Sequence, residues 1–206
     1  MYLVKTPAIA KQLFCDYLWD IPTNEKVLYF TFDDGPIPDV TTMVLDILND
    51  FSAKATFFCV GENVERNPKI YQRILDDGHT VGNHTYNHLN GWKTPKDVYL
   101  DNVAKCSKLV NSKLFRPPYG KITREQASFI KPDYKIVMWD ILCGDFDQKV
   151  SSKDCFARMK KHAKPGSIIV LHDSVKTKNC VQAALPETLA FFLEQGYRFD
   201  ALSPGI

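Results

Sequence analysis

The sequence contains no CxxC pair, no apolar run long enough to cross a bilayer, no dense basic patch and no Gly/Ser-rich linker. Each absence removes a class of protein. Cys15, Cys59, Cys106, Cys143, Cys155 and Cys180 are scattered, so neither a zinc ribbon nor a disulfide scaffold is expected, and the thiols read as reduced and mostly buried. Charge is nearly balanced, 26 Lys+Arg against 24 Asp+Glu. The densest basic stretch, Lys160, Lys161, His162 and Lys164, reads as the solvated face of a helix, so no nucleic-acid partner is expected. Ala8-Ile9-Ala10 looks like a secretion cleavage site, but no apolar run precedes it and Lys11, Asp16 and Asp20 interrupt the stretch beyond it. The expectation is a chain without signal peptide or transmembrane segment, cytoplasmic or peripheral to the membrane. Ile9, Leu13, Phe14, Tyr17 and Leu18 fall on one helical face, which predicts an amphipathic N-terminal helical extension over residues 1–25 packed on the domain.

What is present is a soluble composition, 45% hydrophobic and 24% charged over 206 residues, enough for one sizeable core in a domain spanning residues 26–206. A monomer is the favoured state. Strand-like runs lie at 27–32, 55–60, 79–82, 114–116, 135–139, 167–171 and 198–202. Helical patterns separate them at 40–50, 70–77, 94–111, 123–131, 152–161 and 186–195. Alternation of this kind predicts an α/β fold with a parallel sheet, and about seven strands favour a distorted (β/α) barrel with fewer than eight units. The one long candidate loop, 83–93, carries two histidines.

Ligands of parallel α/β folds bind at the carboxyl ends of the strands, and polar residues collect there in this sequence. The first strand ends in Asp33-Asp34-Gly35-Pro36, a pair of carboxylates that a divalent cation would compensate, or alternatively an N-cap and a turn residue. His84 and His88 stand four apart, a spacing that places two imidazoles on one face of a helical turn, although two polar-loop histidines are also ordinary surface residues. With Asp34 they form a two-His, one-carboxylate set that leaves positions open for water and substrate. His172 emerges from the apolar run 168–171 as a candidate general acid, or as a hydrogen-bonded core histidine. Arg116, also at a strand end, is suited to hold a carboxylate in a bidentate pair.

Together these residues resemble a known set. TFDDGP at 31–36, HTYNH at 84–88, RPPYG at 116–120, WDILCGDF at 139–146 and IVLH at 169–172 resemble, in order and spacing, the five motifs of the NodB-type polysaccharide deacetylases, carbohydrate esterase family 4. The resemblance runs from about Lys26 to the C-terminus. It implies a NodB homology domain in which Asp33 is the general base, oriented by Arg116. Asp34, His84 and His88 would be the ligands of one divalent ion, zinc first, with cobalt, nickel or manganese as alternatives. His172 would be the general acid supported by Asp145, and the Tyr119 N–H would bind the oxyanion. Pro118, Tyr119, Phe146 and Val170 would contact substrate. Two positions depart from the family's usual DxxDW fourth motif: Leu142 replaces the first Asp and Phe146 the Trp.

The activity implied is metal-dependent removal of acetyl groups from N-acetylated sugars of a polysaccharide or oligosaccharide. An O-acetyl esterase acting on a polysaccharide such as xylan is the alternative, and a glycan-binding homologue without activity is a third reading.

Overall fold

Runs rich in Val, Ile and Phe form strands that are covered on both faces, as parallel sheets require. The structure, a computed structural model, describes residues 2–203. Its strands are β1 (Val27–Asp33), β2 (Ala55–Cys59), β3 (Thr80–Asn83), β4 (Leu114–Phe115), β5 (Lys135–Ile136), β6 (Ile141–Leu142), β7 (Ile168–His172) and β8 (Arg198–Phe199). The helices are α1 (Ala8–Leu13), α2 (Thr41–Asp50), α3 (Gly61–Arg66), α4 (Pro68–Asp76), α5 (Lys96–Ser107), α6 (Arg124–Ile130), α7 (Ser152–His162) and α8 (Lys178–Glu194). All strand pairs are parallel, in the order β5-β4-β3-β2-β1-β7-β6, with β8 pairing the start of β1. The sheet curls into the distorted barrel that the βα alternation predicts.

The curl has a covalent cause. Residues 135–142 leave one sheet edge and join the other: Val137 N–H donates to Phe115 O on β4, and three residues later Asp140 N–H donates to Ile168 O at β7. The strand expected over 135–139 therefore pairs with one edge only at its start, and the chain crosses from Asp140 onward to the other edge as β6, which periodicity alone does not reveal.

Alternation along β1 sorts the interior. Leu28, Phe30 and Phe32 pack outward with Val44, Leu45 and Leu48 of α2, the stripe of one amphipathic helix face. Tyr29 points the other way and packs with Phe58 and Ile168, so Thr31 and Asp33 share that inner face by the two-residue period.

Several boundaries differ from expectation. α3 is new. α5 begins after Pro95 and buries Tyr99, Val103 and Cys106, while Val98 is exposed. α8 begins eight residues before Pro186 because its buried stripe, Val181, Ala184, Leu185, Thr188, Leu189 and Phe192, continues through the proline.

The N-terminal stripe is also corrected. α1 ends at Leu13 and has no buried residue, with Ile9 and Leu13 exposed. Tyr17 and Leu18 are buried beyond the helix. The segment is attached by backbone pairing instead: Leu18 bridges Val137, Lys5 bridges Ile141 and Asp20 bridges Ser167. Asp140, just beyond the fifth expected strand, fastens it; fully buried, its carboxylate accepts from Lys5, Lys11 and Ser167. Burial opposes that charge, but the two ammonium groups and the hydroxyl hold the Asp140 pKa below its ordinary value.

Asp140→Ala should accordingly lower the unfolding free energy by about 3 kcal/mol, as for other broken buried ion pairs, and open residues 2–20 to protease before the rest of the chain. An unchanged urea midpoint would contradict this account.

Candidate active site

Parallel register places the chemistry at one rim. Asp33 at the end of β1 is the direct partner of His172 at the end of β7, so the two side chains stand at the same height on strands about 4.8 Å apart. β3 runs out into His84, β4 into Arg116, and the loop after β6 carries Asp145.

Arg116 is fully buried. Its Nη1 donates to Asp33 Oδ1 at 2.7 Å and to Thr31 Oγ1 at 2.7 Å. Nε and Nη2 donate to the carbonyls of Val137 and Met138 at 3.2 and 2.8 Å, and the guanidinium lies 4.1 Å over the Phe58 ring. The bidentate pair suited to Arg116 is thus replaced by a single-point bond, because the remaining donors are taken by the chain segment that closes the barrel. Thr31 also donates to Ile169 O, tying β1 to β7 beneath the site.

Asp34, His84 and His88 converge, each offering one ligand atom within 4.8 Å of the others. The loop from 84 to 88 is not the helical turn that the spacing suggests. Thr85 and His88 have φ of 62° and 56°, and Asp34 has φ of 89°, left-handed values that are costly for residues other than glycine. Asn83 supports the loop by accepting from Thr85 N–H and donating to Val103 O.

His84 Nδ1 lies 2.7 Å from Arg116 O. A carbonyl only accepts, so Nδ1 carries the proton and the Nε2 lone pair faces Asp34 Oδ1 at 4.0 Å. Burial pushes the His84 pKa down to about 4, which keeps the imidazole neutral. His88 Nε2 approaches Asp34 Oδ1 at 3.1 Å, yet that buried oxygen accepts no aligned hydrogen bond. Burial would raise the Asp34 pKa, but His88, His172 and His84 together hold it well below the carboxylate range. An orphaned buried carboxylate oxygen facing a neutral imidazole nitrogen is the donor set that a divalent cation fits.

Across the rim, Asp145 grips His172 twice: Oδ1 pairs with Nδ1 at 2.9 Å and Oδ2 accepts the His172 backbone N–H at 2.7 Å. Burial alone would lower the His172 pKa. Asp145 first, then Asp33 and Asp34, overcome it and raise the value to about 9. Nε2 is left as a charged donor toward the cleft. Phe146 meets the His172 ring edge-on at 5.3 Å and is itself backed by the Tyr2 ring at 5.0 Å.

Tyr119 is 61% exposed, has φ of 60°, and its ring stands 4.6 Å from that of His88. Pro118 is buried beside it, and Val170 lies two residues before His172 on the same face of β7. Thr31, Asn83 and Asp173 lie in the polar strand-end runs of the sequence but carry no signal there of the bonds they make, and Tyr2 carries none at all. Thr31 was the most readable, since a polar residue at period two from Asp33 shares its face.

A buried carboxylate, three converging metal-ligating groups and a charged imidazole around one cleft form an arrangement chemically able to direct water at a carbonyl. A family model described as polysaccharide deacetylase matches residues 20–131. The chain is 38% identical over 193 residues to a peptidoglycan-N-acetylglucosamine deacetylase of Bacillus cereus, covering 90% of each. It is 33% identical to a peptidoglycan-N-acetylglucosamine deacetylase of Listeria monocytogenes, covering 86% of this chain but 38% of that longer protein. A crystal structure of a peptidoglycan N-acetylglucosamine deacetylase in complex with an N-hydroxybenzamide superposes with a TM-score of 0.88 at 32% identity, covering 96% of this chain and 95% of that one. The chain belongs to the polysaccharide deacetylase family, the NodB-type hydrolases of carbohydrate esterase family 4.

The His172–Asp145 geometry has a measurable consequence. A folded pKa above the ordinary 6.5 means that the pair's stabilisation is complete below about 6.5 and is lost as pH rises through about 9. Imidazole NMR of the metal-free protein should place His172 above the other histidines, and Asp145→Asn should return it to or below about 6.5. A wild-type value near 6.5 would refute the pairing.

Proposed function

We propose that the chain removes the acetyl group from N-acetylated sugars of a polysaccharide or oligosaccharide, with N-acetylglucosamine of peptidoglycan as the leading substrate. The observation that supports this reading is that Asp33 and a charged His172 are register partners beside Asp34, His84 and His88. Asp34, His84 and His88 would hold a divalent ion, zinc in our reading, which would supply Lewis-acid polarisation of the acetyl carbonyl and acidify water.

The remaining steps belong to the chain. Asp33, its Oδ1 held by Arg116, accepts the proton of the attacking water. The Tyr119 N–H, presented by a left-handed residue at the cleft, donates to the oxyanion. His172 Nε2 delivers a proton to the departing nitrogen while Asp145 keeps Nδ1 as the inward donor. An amine needs that proton more than an alcohol does, so an acid held in its charged form favours an amide over an ester. Val170, Pro118 and Phe146 wall the space for the acetyl methyl. The relatives named for peptidoglycan N-acetylglucosamine support the choice of sugar.

Acetate release is expected from peptidoglycan and N-acetylglucosamine oligomers, and it should stop on chelation and return with zinc. Asp33→Asn should lose about 10²–10⁴-fold in kcat with zinc retained, the range of a general base, whereas His84→Ala should lose the metal itself. Release from acetylated xylan alone would establish the esterase reading. Glycan binding without release from any substrate would establish the inactive one.

A further inference from the structure

The turn that presents Asp34 is gripped at every residue. Asp33 O accepts from the Asp173 N–H at 3.0 Å, Asp34 O accepts from Asn63 Nδ2 at 2.7 Å, and the Gly35 N–H donates to Asp173 Oδ1 at 2.9 Å. Gly35 O closes the turn by accepting from Val60 N–H at 3.0 Å. Asp173 supplies two of these bonds. Its second oxygen accepts from Thr41 Oγ1 at 2.5 Å, and that same hydroxyl accepts the Ile37 N–H at 2.7 Å. The whole side chain is buried.

Gly35 shows how close the fit is. Its φ lies outside the left-handed region, so the backbone itself admits a side chain, but a Cβ there would stand 1.9 Å from Asp173 Oδ2. The glycine is required by the carboxylate, not by the turn. Asp34, one residue earlier, is held at φ 89° and points its buried oxygen at the two imidazoles. A strained residue of this kind persists only when its surroundings over-determine it.

We propose that Asp173 is a positioning residue for the metal centre: its carboxylate, braced by Thr41, holds the Asp34–Gly35 turn in the conformation that aims Asp34 at His84 and His88. Because Asp173 directly follows His172, the last residue of β7, the chain that carries the acid also fixes the ligand just past the end of β1. The inference rests on the reading of Asp34 as a metal ligand. Partners that orient a ligand influence affinity without touching the ion.

The test is zinc binding to the metal-free protein, measured by competition with a chromophoric chelator, alongside urea midpoints. Asp173→Ala should remain folded and bind zinc on the order of 10- to 100-fold more weakly. Asp173→Asn should recover most of that affinity, because an amide oxygen still accepts the Gly35 N–H. A merely structural residue would shift the urea midpoint and leave the zinc Kd of the folded protein unchanged, and that result would overturn the proposal. Should Asp173→Ala fail to fold, Thr41→Val reads the same brace, and an unchanged zinc Kd there would also overturn it. Wild-type protein that binds no zinc would instead sink the metal reading on which the inference rests.

Discussion

The fully buried Arg116 is the node on which the site depends. Placing a guanidinium inside a barrel costs several kcal/mol unless its donors are met, and four side-chain or backbone acceptors meet them. Those acceptors serve separate tasks. Asp33 is the candidate base, Thr31 ties β1 to β7, and the Val137 and Met138 carbonyls lie on the segment that closes the sheet. The Arg116 carbonyl, at the other end of the same residue, fixes the tautomer of His84. One residue at the end of a two-residue strand therefore couples barrel closure, the orientation of Asp33 and the tautomer of His84.

Much of the site was readable because parallel strands export their chemistry to one end. Asp33, His84, Arg116 and His172 each lie at or just past the end of a strand, and the topology needed only to bring those ends together. Residues that act through backbone groups were not readable in the same way. Asp173 shows no periodic signal, since its partners are the amide of Gly35 and the hydroxyl of Thr41, 138 and 132 residues away. Likewise the division of residues 135–142 between two sheet edges arises from closure of the barrel, a global constraint that a local window does not contain. The N-terminal stripe misled for a related reason: Tyr17 and Leu18 are buried by pairing of an extended chain at the sheet edge, not by a helix face.

The departures in the fourth motif acquire a physical setting. Leu142 sits within β6, buried and in register with Val170, so an apolar side chain suits its environment better than a second carboxylate would. Phe146 places an aromatic edge against His172, as an indole at that position could, and Tyr2 backs it from the N-terminal segment. The Tyr2 hydroxyl is held in turn by Arg158 and donates to Asp147. Residues at the start of the chain thus contribute to the wall beside the acid, and an added Cβ at Gly144 would collide with the Tyr2 hydroxyl at 2.4 Å.

The acid and the cradle are also coupled electrostatically. In the protein alone His172 is charged because three carboxylates outweigh its burial, and Asp34 is ionised partly because His172 is charged. Asp145 makes both of its bonds to His172 away from the cradle, at Nδ1 and the backbone N–H. The charge on His172 thus rests first on Asp145 and then on Asp33, neither of which belongs to the cradle.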